Sequence, residues 1–129
     1  MLELTNAERT KAGLVPLTLN PHLQQAAQAY SQVLATSDCF SHSCGPAPDL
    51  ADRDQRADYF GWTMLGENIA SGYPTPEAVV AGWMVSPGHR ANILSPEYTE
   101  FGVGVVHGEG QPGIYWTEEF GSRITDNST

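Results

Sequence analysis

His42, Glu67 and His89 are the residues of this chain whose types suit joint chemistry. A neutral imidazole is a metal ligand or a general base. A carboxylate orients a histidine, ligates a metal or takes a proton. His89 follows Ser86-Pro87-Gly88, which reads as the first turn of a helix. The partial positive charge of a helix N-terminus disfavours imidazolium there. His42 follows Cys39-Phe40-Ser41 in loop-like sequence, and Glu67 lies in Gly66-Glu67-Asn68-Ile69-Ala70, between a loop and an apolar pair. Spacing this wide is weak by itself, because only a fold can bring the three together. His22, at an exposed helix start, and His107, at a strand end, read as solvated surface residues.

Cys39 and Cys44 flank His42. An even count and a local pair favour a disulfide, and with it an oxidising compartment. Two free thiols, or a zinc site using both and His42, remain open alternatives.

The elements that must position these residues follow from periodicity and punctuation. Residues 2–12 read as a helix with Leu4, Ala7 and Lys11 at helical spacing, stopped by Gly13. Asn20-Pro21 opens a second helix, whose stripe is Leu23, Ala26, Ala27, Tyr30 and Leu34. Residues 38–62 read as one long irregular loop held by the cysteines. Thr75-Pro76-Glu77 opens a third helix that buries Val79, Val80, Trp83 and Met84. Ser86-Pro87 opens a short fourth helix running to about Leu94. From Phe101 to His107 the chain alternates, with Phe101, Val103 and Val105 on one face. Gly102 and Gly104 on the other face predict close approach of another backbone. Residues 108–113 are a turn, and Ile114 to Phe120 return as a strand with Ile114, Trp116, Glu118 and Phe120 on one face. After Gly121 the chain reads as a frayed polar tail over 122–129.

With 129 residues, 40% of them hydrophobic and 16% charged, the chain reads as a single domain over 1–129. A net charge of −9 with only six Lys+Arg excludes a nucleic-acid module, which needs basic residues against phosphate. It disfavours an anionic membrane surface equally. No apolar run is long enough to span a bilayer. Met1 leads straight into a polar helix-like stretch rather than a leader, as a mature fragment would.

Five stretches in order resemble the CAP superfamily of cysteine-rich secretory, antigen 5 and pathogenesis-related 1 proteins, in its compact bacterial form. They are Leu4 to Leu14 with Pro16-Leu17, Phe40-Ser41-His42, Gly66 to Ala70, Trp83 to Leu94, and Phe101 to Val105 closed by Tyr115-Trp116 and Phe120-Gly121. The resemblance implies an α-β-α sandwich of the α+β class, with a small antiparallel sheet between helical layers. It implies secretion and a cleft of two histidines and two acids. His42 and His89 match the histidines as ligands of zinc or another divalent cation, and Glu67 matches one acid. Arg56 matches the family arginine, which puts Asp54 nearest the second acid and Asp52 next.

Three functions fit. The first is an extracellular binding or signalling module, monomeric, with an unnamed ligand or protein partner. The second is a zinc-dependent hydrolase with Glu67 as base. No nucleophile–base–oxyanion set is readable to support it, since Ser41 and Ser86 look like cap or turn residues. The third is a lipid or sterol carrier, which needs an apolar groove between helices.

Overall fold

In this computed structural model residues 1–37, 39–46, 48–108 and 113–123 are described. In chain order they form α1 (Leu2–Lys11), β1 (Thr18–Leu19), α2 (Pro21–Thr36), α3 (Leu50–Arg56), β2 (Trp62–Ser71), α4 (Pro76–Met84), α5 (Pro87–Ile93), β3 (Glu100–His107) and β4 (Ile114–Arg123). The strands make one sheet in the order β1-β3-β4-β2. Pairing is antiparallel except that β1 runs parallel to β3, so the sheet is mixed rather than purely antiparallel.

Helix α2 covers one face. Its Asn20 side chain accepts from the backbone N–H groups of His22 and Leu23, and Pro21 occupies the first turn. Its predicted stripe is buried in full. The helix lies almost on the strand backbone. A Cβ at Gly104 would sit 2.4 Å from Gln28 Cα, and one at Gly102 would sit 2.2 Å from the Leu23 carbonyl carbon. Gln24 and Gln28 complete the contact by bonding the backbones of Val103 and Val105.

Helices α1, α4 and α5 cover the other face. Val79, Val80, Trp83, Ile93, Phe101, Trp116 and Phe120 form the main apolar core there. Arg9 is buried in this layer and donates to the carbonyls of Val15, Ile93, Ser95 and Tyr98. One guanidinium thus ties α1 to the chain between α5 and β3. This is the α-β-α sandwich.

Several expectations change. Ala7 and Lys11 are exposed, and the buried residues of α1 are Thr5 and Arg9, because this face is closed by hydrogen bonds rather than by an apolar stripe. Residues 38–62 are not one loop: α3 stands inside it, and its buried residues are the charged pair Arg53 and Asp54, which leave no hydrophobic period to read. Glu67 lies within β2, a strand that the sequence reading did not place. Ser122 and Arg123 belong to β4, paired with Met64 and Trp62, so that part of the expected tail is ordered by the sheet. Residues 109–112 of the predicted turn and 124–129 of the tail lie outside the described residues. His22 is half-buried, its Nδ1 lying 3.0 Å from the Ala57 carbonyl oxygen.

Strand β4 is buried on both faces, so consecutive residues Glu118 and Glu119 are both inside. Glu118 faces α1, where it accepts from Thr5 Oγ1 at 2.6 Å and Asn68 Nδ2 at 3.4 Å. Burial pushes its pKa up to about 7, against those two hydrogen bonds. A raised carboxyl pKa favours the protonated fold, so this contribution to stability is full below the ordinary value and is lost as pH rises through about 7. Glu118→Gln, neutral at every pH, is therefore expected to gain on the parent between about pH 5 and about pH 8. Urea unfolding at the two pH values measures this, and an unchanged difference between the two proteins would count against it. Gly104→Ala is expected to cost roughly 1–3 kcal/mol or more by pushing α2 off the sheet. A thermal midpoint equal to the parent's would show that α2 can yield.

Candidate functional site

Glu67 and Asn68 are neighbours on β2, so their side chains leave opposite faces of the sheet. Each anchors one of the two histidines. On the α2 face, Glu67 Oε1 lies 2.8 Å from His42 Nδ1. On the other face, Asn68 Nδ2 donates to the His89 carbonyl at 3.2 Å. Asn92, one turn along α5, donates to both Asn68 Oδ1 and the Glu67 carbonyl. The candidate site therefore straddles an edge strand, with one histidine held from each side.

His42 is placed by three restraints. Cys39 and Cys44 form a disulfide around it, with Cα atoms 6.0 Å apart. Closing so short a loop contributes about 2 kcal/mol in chain entropy. Tyr30 of α2 donates to the Ser41 carbonyl at 2.5 Å and accepts from the Cys44 N–H at 2.9 Å. Arg53 of α3 donates to the His42 carbonyl at 2.9 Å. The imidazole itself stays 54% exposed. Its Nδ1–H donates to the ionised Glu67, which leaves the Nε2 lone pair as the free nitrogen.

Behind this lies a buried charge cluster. Arg53 donates to Glu67 Oε2 at 2.6 Å, lies 3.6 Å from Glu119 Oε2, and stacks 3.5 Å above the Tyr30 ring. Glu67 and Glu119 are direct cross-strand partners, two carboxyls forced together by register. Burial raises the Glu67 pKa, but hydrogen bonds from His42, Glu119 and Arg53 and the Arg53 charge outweigh it and hold the group at about 2. Glu119 goes the other way: burial first, then the Glu67 charge, push it well above the usual range. Glu119 is thus the protonated partner of an ionised Glu67. Asp54, also fully buried, is raised to about 7 chiefly by burial, against the Arg53 charge.

His89 packs beside Trp83, with ring centroids 6.4 Å apart. Its pKa is lowered by burial and by the charge of His42, so the neutral imidazole is favoured.

The sequence model of the Cysteine-rich secretory protein family, CAP, matches residues 2–120. This chain belongs to that family. Among curated relatives of this CAP domain, the uncharacterized protein YkwD of Bacillus subtilis is 43% identical over 122 residues, 93% of this chain and 45% of its own length. The uncharacterized membrane protein YlbC of the same organism is 34% identical over 95% of this chain and 34% of its own length. The chain thus spans less than half of either relative. Among solved structures, an extracellular SCP-domain protein from Bacillus anthracis superposes with a TM-score of 0.86 at 32% identity, over 95% of this chain and 39% of that one.

Of the residues singled out from sequence, the CAP fold brings His42 and Glu67 into contact and sets His89 one β2 residue away, on Asn68. Asp54 makes no hydrogen bond to either histidine, and both its carboxylate oxygens are buried without a hydrogen-bond partner among the described residues. The arginine that reaches the site is Arg53, whereas Arg56 makes a surface pair with Asp52. Arg53, Tyr30, Asn68, Asn92 and Glu119 were missed. Asn68 and Asn92 stand within two of the motif stretches, which was the available signal. His107 is exposed and His22 sits against α3, both away from this cluster. No described helix is long and apolar enough to cross a membrane.

Glu67→Gln removes the ionised partner of a buried arginine and is expected to cost roughly 3–5 kcal/mol. Asp54→Asn replaces a group already pushed toward neutrality and is expected to cost far less. Denaturant unfolding of both variants near pH 6 separates them; equal losses would mean that Glu67 is not the anchor.

Proposed function

We propose that this CAP domain is a secreted, extracellular binding module whose cleft takes a divalent cation, zinc by preference, between His42 and His89. The observation that carries the reading is the relay from Arg53 through Glu67 to His42 Nδ1, which leaves Nε2 turned over to a ligand. A carboxylate on the far nitrogen is the usual support of a metal-binding imidazole. Both imidazoles suit zinc as neutral nitrogen donors. Among the described residues, no three His, Cys, Asp or Glu side chains converge as an ion site. The proposed donor set is the two imidazoles, with water or a partner's own donor filling the remaining positions. When bound, the ion would act as a bridge to that partner.

The fit favours binding over hydrolysis. Glu67 is held at about 2 and is engaged by both His42 and Arg53, so it is a poor proton acceptor for a metal-bound water. Its role is to orient His42.

Zinc is expected to bind at about pH 7.5 and to be released toward about pH 5 as the imidazoles protonate. Calorimetry on the parent and on His42→Ala and His89→Ala tests this. Heat of binding that survives in either variant, or no binding by the parent, sinks the two-histidine site.

A further inference from the structure

Beside β3 the sheet is incomplete. β1 has two residues and β3 has eight, so β1 pairs only with Glu100 and Phe101. From Gly102 to His107 no described strand lies beside β3 on the side away from β4. In an extended strand the N–H and C=O of one residue point to the same side, and successive residues alternate. The Phe101 carbonyl, on the β1 side, accepts from the Asn20 N–H. The backbone groups left over on that side are therefore those of Val103, Val105 and His107.

Two glutamines of α2 fill the gap. Gln24 Oε1 accepts from the Val103 N–H at 2.9 Å. Gln28 Oε1 accepts from the Val105 N–H at 3.1 Å, and its Nε2 donates to the Val105 carbonyl at 3.0 Å. That two-way exchange is what one residue of a neighbouring antiparallel strand would make. The match rests on pitch: four residues of helix rise about 6 Å, and two residues of strand span about 6.6 Å. Glutamines four apart, on a helix laid along β3, thus meet alternate strand residues. The close seat of α2 on Gly102 and Gly104 brings them within reach.

We infer that Gln24 and Gln28 act as a substitute strand, which keeps β3 from pairing with the β3 of a second copy of this chain. An uncapped edge is a template for strand addition, and an identical edge is its natural complement. A two-fold axis at Val105 would set Val105 against Val105 and Val103 against His107, all as hydrogen-bonded pairs. It would oppose two β-branched side chains and no like charges. Val105 is 36% exposed, so bulk does not shield the edge. Net charge does not shield it either: the −9 of each copy is screened beyond about 8 Å at physiological salt. What remains to close the edge is the pair of side-chain amides.

Analytical ultracentrifugation of the intact chain at about 0.5 mM in about 0.15 M salt tests this. The proteins compared are the parent, Gln24→Ala/Gln28→Ala, and a control, Gln25→Ala/Gln32→Ala, which changes two exposed glutamines of the same helix. Alanine is the best helix former, so both double variants keep α2. The parent and the control are expected to sediment as monomers. The Gln24→Ala/Gln28→Ala protein is expected to dimerise, about tenfold or more tighter than any association of the parent. Adding Val105→Pro, which removes the central edge N–H, should return it to monomer. In dilute samples its Val103 and Val105 amides should exchange hydrogen about tenfold faster than the parent's. A Gln24→Ala/Gln28→Ala protein that stays monomeric, a control that dimerises equally, or a dimer that survives Val105→Pro would each overturn the inference. Unchanged exchange at both amides would show that the glutamines do not hold the edge.

Discussion

The structure turns on one buried guanidinium. Arg53 stands opposite Glu67 and Glu119, which β2–β4 register forces side by side in the interior. Two ionised carboxylates there would repel strongly in low dielectric. One arginine and one carboxyl proton resolve the conflict: Glu67 is charged and paired, and Glu119 is neutral. Everything near the candidate site inherits this arrangement. Arg53 needs α3 to bring it in, α3 needs the loop before it, and the disulfide and Tyr30 hold that loop. Glu67, fixed by Arg53, then fixes the tautomer of His42. The cost of burying these charges makes the assembly a weak source of stability but a strong determinant of geometry.

Strand β2 carries the second constraint, because it lies at an edge of the sheet. An edge strand of ten residues would invite pairing with another chain. Here its outward carbonyls are occupied by side chains. Tyr98 donates to Leu65, Asn92 to Glu67 and Trp83 to Ile69, each at 3.1 Å. Gly66 makes the first of these possible, since a Cβ there would fall 2.3 Å from the Tyr98 hydroxyl. The covered edge is also the seam between the two histidines. The sequence motif Gly-Glu-Asn can be read as three local jobs: admit Tyr98, hold His42, hold the backbone of His89.

A site built this way is rigid beneath and open above. Its supporting hydrogen bonds come from two strands and three helices, while the His42 ring remains half in solvent. The CAP fold does not by itself assign chemistry to this frame.

What the chain announced on its own was whatever burial follows a period or a cap. The α2 stripe, the Asn20 and Thr75 caps, the β3–β4 hairpin and the two glycines under α2 were legible, because propensity, patterning and packing agree there. Family order likewise marked His42, Glu67 and His89 as a location. Helix α3 was not legible, because the face it buries is Arg53 and Asp54 and carries no hydrophobic signal. Nor was the buried face of α1, which is Thr5 and Arg9. Only the tertiary structure could decide that Arg53 rather than Arg56 reaches Glu67, that Asp54 is buried without a hydrogen bond to a histidine, and that Glu119 stands beside Glu67. Those outcomes depend on strand register and on which buried charge finds a partner. Both are long-range facts, settled by electrostatics in the folded interior rather than by any local preference of the chain.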